Sequence, residues 1–186
     1  MVFETGTAET SEKTAASEKE TSSDKPTLVE GRTWFIQEDN IDTDMIFHNR
    51  YLSITDIDEM GQYALDNLEG YEDFAEKAKP EDIIVTQKNF GSGSSRQQAV
   101  DCFKVLGINA ILAESFGAIY ERNAINAAMP VMQYKSLDGL KLENGDHLRI
   151  DFKTGVVENL DKNTKIQAKP FSDVQMDIYQ RGGIFK

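Results

Sequence analysis

The stretch "DIIVTQKNFGSGSSRQQAVDCFKVLG", Asp82–Gly107, decides the fold. Asp82–Thr86 is short and β-branched, which suits a buried strand. From Ser95 to Gly107 the pattern is helical. Ala99, Cys102, Phe103 and Leu106 recur at three- and four-residue steps, Ser95 with Gln98 forms a capping box, and Gly107 closes the end. The joint between strand and helix holds Gly91, Ser92, Gly93, Ser94, Ser95 and Arg96. A strand, a glycine-containing loop and a helix start bring several backbone N–H groups to one point, and Arg96 adds a formal charge, so the joint is an anion site. It is not a phosphate loop, since Gly-Lys-Ser/Thr is missing, and Arg96 stands where the third glycine of a dinucleotide fingerprint falls. An arginine fork suits a carboxylate better. A corner that only turns and caps a helix does not account for a second serine beside the arginine.

Working outward, "INAILAE" reads as the next strand, and "FGAIYERNAINAAM" as a helix ended at Pro130. This strand–helix–strand–helix succession predicts parallel strands joined by right-handed crossovers. After Pro130, "VMQYK", "HLRIDF" and "GVVENL" are short strands with a turn at Asn144-Gly145. The chain closes on "FSDVQMDIYQRGGIF", a helix capped by Ser172 and Gln175 and stopped by Gly182-Gly183. Upstream, "GRTWFIQ", Gly31–Gln37, is the first strand, and "EDNIDTDMIFHNRYL" is a loop. "TDIDEMGQYALDNL" reads as a helix capped by Thr55, and "YEDFAEKAKP" as a short helix stopped at Pro80. The expectation is one α/β domain over residues 29–186 with a β-rich C-terminal portion.

Residues 1–28 are rich in Glu, Ser, Thr and Lys and nearly empty of large apolar side chains. Such a segment buries too little to offset its ordering entropy, so it reads as a disordered tail, with neither the apolar run of a signal peptide nor a typical organelle-targeting pattern. No run approaches a membrane span. A net charge of −12 excludes the basic face that nucleic acid or an anionic membrane requires. The one cysteine, Cys102, excludes an intramolecular disulfide and a self-contained cysteine-ligated cluster or zinc site. A reducing cytoplasm is the expected compartment.

Three other stretches carry polar groups. Asp42 and Asp44 in "NIDTDMIFHNRYL" suit a metal, an arginine partner or plain solvation, and no His/Cys/carboxylate set with ligand spacing accompanies them. His48 and His147 are the only histidines. Neither stands where a serine nucleophile would find its base, and His147 in its hairpin is expected to be exposed. Arg122, Asn123 and Asn126 share one helical face, an interface or an ordinary exposed surface.

Taken in order, "NIDTDMIFHNRYL", "NFGSGSSRQQAV", "AESFGAIYERNAINAAMPV" and "MDIYQRGGIF" resemble the small subunits of the isopropylmalate dehydratase and homoaconitase group, which are similar to the swivelling C-terminal domain of aconitase. The resemblance covers nearly everything from about Gly31 to Lys186. It implies a swivel-type β/β/α domain and half of a hydro-lyase of leucine and branched-chain amino acid biosynthesis. A large subunit would carry a [4Fe–4S] cluster and most acid–base residues, in a heterodimer or heterotetramer, and this chain would hold no metal. By the family's Gly-Ser-Ser-Arg motif, Ser94 is the catalytic base and Arg96 grips a substrate carboxylate, with Gly93 and Ser95 beside the substrate. Asp44 matches a position near the site and would orient an arginine from behind.

Two departures stand out. Many relatives have Glu-His after the motif arginine, where this chain has Gln97-Gln98. Homoaconitases characteristically place an arginine in the loop after "RYL", and here that loop reads Ser53, Ile54 and Thr55. An uncharged loop with an isoleucine favours an alkyl-substituted malate over a third carboxylate, because a buried carboxylate without a partner is costly. Arg50, three residues ahead of Ser53, is the one nearby cation that would serve a longer substrate.

Overall fold

The computed structural model describes residues 24–186. The first strand, β1 (Leu28–Phe35), starts at Leu28 rather than Gly31 and lies at the centre of the sheet. On one side it pairs in parallel with β2 (Ile83–Val85), which pairs in parallel with β3 (Ala110–Ala113), which pairs in parallel with β4 (Val131–Gln133). On its other side β1 pairs antiparallel with β5 (His147–Asp151), followed by β6 (Val156–Asn159) and β7 (Thr164–Gln167). The order is β4-β3-β2-β1-β5-β6-β7. The expected parallel units and β-rich C-terminal portion are both present. β7 has no counterpart in the sequence reading: its residues alternate between half-buried and exposed, so they lack the apolar face that marks a strand.

Strand alternation divides the core in two. Ile84, Ile111 and Ala113 face one cluster with Ile36, Phe47, Phe90, Phe103 and Tyr120. Ile83, Val85, Ala110 and Leu112 face a second with Leu148, Ile150, Phe152 and Tyr179. Helices α4 (Gln98–Val105) and α5 (Ala118–Asn126) cover the first face. The antiparallel strands curl back with α6 (Asp173–Arg181) over the second, where Phe152 stacks on Phe171 at 4.5 Å. Ser172 caps α6, accepting from Gln175 N–H at 3.1 Å, and Gly182 ends it at φ 84°, both as expected.

Three helical expectations change. The long helix from Thr55 is absent. Asp56, not Thr55, caps a single turn, α2 (Ile57–Met60), and a 3₁₀ turn follows at Gly61–Tyr63. Leu65 then adopts φ 60°, and its N–H bonds Ile46 O at 2.8 Å, so a tertiary bond takes the donor a helix would use. Second, "YEDFAEKAKP" keeps only α3 (Phe74–Lys77). Third, α4 starts at Gln98 and is preceded by Gln97 without a side-chain cap, so the Ser95–Gln98 capping box does not form. A further short helix, α1 (Thr43–Ile46), stands in the expected loop, capped by Asp42, which accepts from Met45 N–H at 2.8 Å.

The expected tail lies mostly outside the described residues, but its last part is tied down. Tyr179 Oη donates to Pro26 O at 2.6 Å, Gln180 bonds both main-chain polar groups of Lys25, and Phe152 N–H donates to Thr27 O at 2.8 Å. Among the described residues, no helix is long and apolar enough to cross a membrane.

Candidate active site

The chain leaving β1 and the chain leaving β2 continue side by side. Asn40 N–H donates to Lys88 O, Gly91 N–H to Ile41 O at 2.7 Å and Thr43 N–H to Ser92 O at 2.9 Å. The exit from β3 supports the loop from the other side, where Phe90 N–H bonds Ser115 O and Gly117 N–H bonds Phe90 O. The serine loop therefore lies between two flanking segments. Gly91 is required here: at φ 81° a Cβ would come 2.2 Å from Cγ of the buried Tyr120. Gly117 is equally confined, since its Cβ would meet Gly91 O at 2.8 Å.

Gly93, Ser94 and Ser95 are exposed at the tip. No hydrogen bond among the described residues engages the N–H groups of residues 93–97, and α4 begins without a cap, so uncompensated donors surround Ser94. Ser95 does a different job from the one expected. Its Oγ accepts from Asn123 Nδ2 on α5 at 3.1 Å. The polar face of Arg122, Asn123 and Asn126 thus has one member aimed at the loop. Tyr120, one turn earlier on α5, donates to Ala99 O at 2.9 Å.

Arg96 turns inward, with its side chain only 10% exposed. Nη1 donates to Asp44 Oδ1 at 3.1 Å and to Phe47 O at 2.7 Å. Both protein bonds leave through that one nitrogen, so Nε and Nη2 carry donors that no described residue takes. Asp44 in turn accepts from Asn49 N–H at 2.9 Å and from Asn67 Nδ2 at 3.4 Å. Burial opposes its charge, but the Asn49 N–H, Arg96 and His48 outweigh that and hold its carboxyl below the ordinary carboxylate value. His48 was set aside in the sequence. It lies 3.9 Å from Asp44 Oδ2, and its Nδ1 accepts from Arg50 N–H, which leaves the other ring nitrogen facing the carboxylate.

Arg96, two residues beyond Ser94, is thus tied to Asp44. Ser53 is exposed, Ile54 packs on the first core cluster, and no hydrogen bond links either to the serine loop among the described residues. Arg50 is exposed with its guanidinium 5.1 Å from the Tyr51 ring centre. Gln97, in the departure from the usual Glu-His, bonds Asp101 along the helix at 3.2 Å. His147 is exposed, as expected, against Asp161. Phe47 O and Asn67 were not legible: a carbonyl has no residue-type signal, and Asn67 lay inside the helix that does not form. Among the described residues no group of three or more His, Cys, Asp or Glu side chains is placed to hold a metal ion. Cys102 is fully buried, and burial pushes its thiol well up.

The family model of the aconitase C-terminal domain matches residues 5–136. The chain is 39% identical over 149 residues to a 3-isopropylmalate dehydratase small subunit of Caldicellulosiruptor saccharolyticus, covering 80% of this chain and 84% of that one. It is 39% identical over 157 residues to a methanogen homoaconitase small subunit of Methanothermobacter thermautotrophicus, covering 84% and 88%. Its fold is similar to a crystal structure of 3-isopropylmalate dehydratase from Methanocaldococcus jannaschii, with a TM-score of 0.78, 34% identity and coverage of 85% and 91%.

Proposed function

The chain belongs to the aconitase C-terminal domain family, among the small subunits of isopropylmalate dehydratase and homoaconitase-like isomerases, and from this we propose that it serves a two-subunit hydro-lyase acting on an alkyl-substituted malate, 2-isopropylmalate above all. The observation that carries the reading is the pairing at the joint. Arg96 is held by Asp44 and Phe47 through one nitrogen with the rest of its fork open, beside a serine surrounded by unengaged N–H groups. A planar fork binds a carboxylate with two parallel bonds.

Ser94 acts as the base. A serine oxygen is basic enough only as an alkoxide, and the loop N–H groups, the α4 N-terminus and the Arg96 guanidinium all stabilise one. Each such donor contributes about 2.7–4 kcal/mol, by analogy with oxyanion-hole deletions. Arg96 fixes the carboxylate next to the carbon that gives up its proton, and so favours the charge that builds there. The proton goes to Ser94 Oγ as the alkene forms, and the hydroxyl on the neighbouring carbon takes a proton from an acid of the large subunit and leaves as water. The reverse addition, with hydroxyl and proton exchanged between the two carbons, gives the isomer and restores both groups. Asp44 keeps Arg96 aimed.

The chain's own residues do not make an iron–sulfur site, since its single cysteine is sealed in the core. The cluster that the family implies is assigned to a large-subunit partner, and this chain acts only with that partner. The uncharged Ser53–Thr55 loop supports an alkyl side chain on the substrate.

The test is co-purification with the large subunit, followed by parallel assays on isopropylmalate, homoaconitate and dimethylmalate. Turnover of isopropylmalate is expected to lead. Turnover of homoaconitate alone would overturn the substrate assignment and place Arg50 in the loop arginine's role. A chain that binds dicarboxylates but never assembles would be an anion-binding module instead.

A further inference from the structure

The stretch that breaks the expected helix makes three consecutive contacts onto one segment. Leu65, fully buried at φ 60°, donates its N–H to Ile46 O at 2.8 Å. Asp66 Oδ2 accepts from Tyr51 Oη at 2.5 Å. Asn67 Nδ2 donates to Asp44 O at 3.2 Å and lies 3.4 Å from Asp44 Oδ2. A left-handed conformation at a branched, non-glycine residue is strained and persists only where the surroundings hold it. Here it points one main-chain donor and two polar side chains at Asp44–Tyr51. That segment carries the carboxylate and the carbonyl that hold Arg96, and it runs directly into Ser53–Thr55.

The far end of the segment is fixed by rings. Tyr51 stacks on Tyr63 at 4.0 Å, and Phe47 meets both edge-on. The bond to Asp66 is the first cause that raises the Tyr51 phenol above its usual value, so Tyr51 stays protonated and donating. Asp66 Oδ1 is buried with no partner, an uncompensated position that a folded protein retains at a cost.

We propose that the Leu65–Asn67 turn is a positioning clamp for the site: Asn67 sets Arg96 through Asp44, and Asp66, through Tyr51, sets the Ser53–Thr55 loop and with it the substrate side chain that is accepted. This rests on the function proposed above. Asn67 and Asp66 touch no substrate; they act through Asp44 and Tyr51. One limb governs how firmly the carboxylate end is held, the other which alkyl group fits.

The experiment uses the assembled two-subunit enzyme. Asn67→Ala is expected to raise KM for isopropylmalate about tenfold with a smaller fall in kcat, the effect of one lost hydrogen bond to a charged group. In an Asp44→Asn background the same change is expected to cost about threefold or less, because the charged oxygen it bonds is gone and only the bond to the main-chain Asp44 O is left to lose. Tyr51→Phe is expected to shift the ratio of kcat/KM for isopropylmalate over dimethylmalate by about threefold or more, while Asn67→Ala leaves that ratio alone. Asn67→Leu, which nearly keeps the shape and removes the donor without adding charge, repeats the cycle should the alanine variant fail to assemble. Equal losses from Asn67→Ala in both backgrounds, or an unchanged substrate ratio in Tyr51→Phe, would overturn the clamp. Full activity in Ser94→Ala would instead overturn the proposed function. Loss there with normal Asn67 variants sinks the clamp alone.

Discussion

Two aspartates, one beside the serine loop and one at the start of the antiparallel half, are built by the same recipe. Asp146, between β5 and the preceding turn, accepts from Glu143 N–H at 3.0 Å, Asn159 Nδ2 at 2.9 Å and Lys162 Nζ at 2.7 Å. Asp44 accepts from a main-chain N–H, an asparagine amide and a cation in the same way. The difference is the cation. Lys162 also bonds Glu143 and Lys141 O, so its charge is engaged within the protein. Arg96 is anchored at one nitrogen and open at the others. A point charge that anchors a turn has little left to offer a ligand; a planar fork can be gripped at one tine and still present a flat, two-donor edge. The Asp146 side chain is 12% exposed and that of Asp44 41%, whereas Lys162 is 29% exposed and Arg96 10%, so the second arrangement bares its carboxylate and buries its cation.

The largest test of this contrast is Ser94→Ala. Turnover of the assembled enzyme should fall by about 10²–10⁴, the usual contribution of a positioned base, with substrate binding and thermal stability retained. Near-normal turnover would remove the base from the open site. Next is Gly91→Ala, which forces a methyl group into Tyr120 at a left-handed φ. It should destabilise the subunit by about 3 kcal/mol or more in urea titration, and an unchanged midpoint would show that the loop is not held as described.

Much of this was legible. The parallel half was read correctly because β-branched runs, glycine stops and Pro130 signal locally. The serine, the arginine and Asp44 were named from their motifs. What failed shares one cause: partners distant in sequence take the groups that local signals would use. Leu65 N–H is taken by Ile46 O, so "TDIDEMGQYALDNL" has the composition of a long helix but keeps only α2 and a 3₁₀ turn. Ser95 is engaged by Asn123 rather than by the start of its own helix. β7 was missed because its pairing with β6, not its own side chains, makes it a strand.

The smaller effects sharpen the contrast from each side. Arg96→Lys keeps the charge and loses the fork, so KM should rise about 10- to 100-fold in steady-state assays, while kcat falls less. A KM unchanged by lysine would mean that a point charge suffices there. Asp146→Asn should leave kcat/KM as it is and lower stability by about 1–2 kcal/mol at neutral pH. Burial opposes the Asp146 charge, but Lys162, Asn159 and the Glu143 N–H pull its carboxyl below the ordinary value near 4. The unfolded chain therefore binds this proton first on acidification. The stabilisation is full above about pH 4 and is lost as pH falls through the lower folded value. Wild-type stability should drop across that window more steeply than that of the asparagine variant. Parallel acid limbs in chemical denaturation would show that the carboxylate contributes nothing.

Gly91 and Gly117 meet backbone against ring and backbone against backbone, with no room for even a methyl group. That contact has a consequence for how such an enzyme diversifies. The base of the loop bearing the serine and arginine cannot drift by small side-chain exchanges, because a first step at Gly91 or Gly117 collides. In the Ser53–Thr55 loop only Ile54 packs on the core, and Ser53 and Thr55 lie exposed. Under the proposed function, descendants of this chain would change which side chain they accept through Ser53–Thr55 more readily than they would reshape the base of the serine loop.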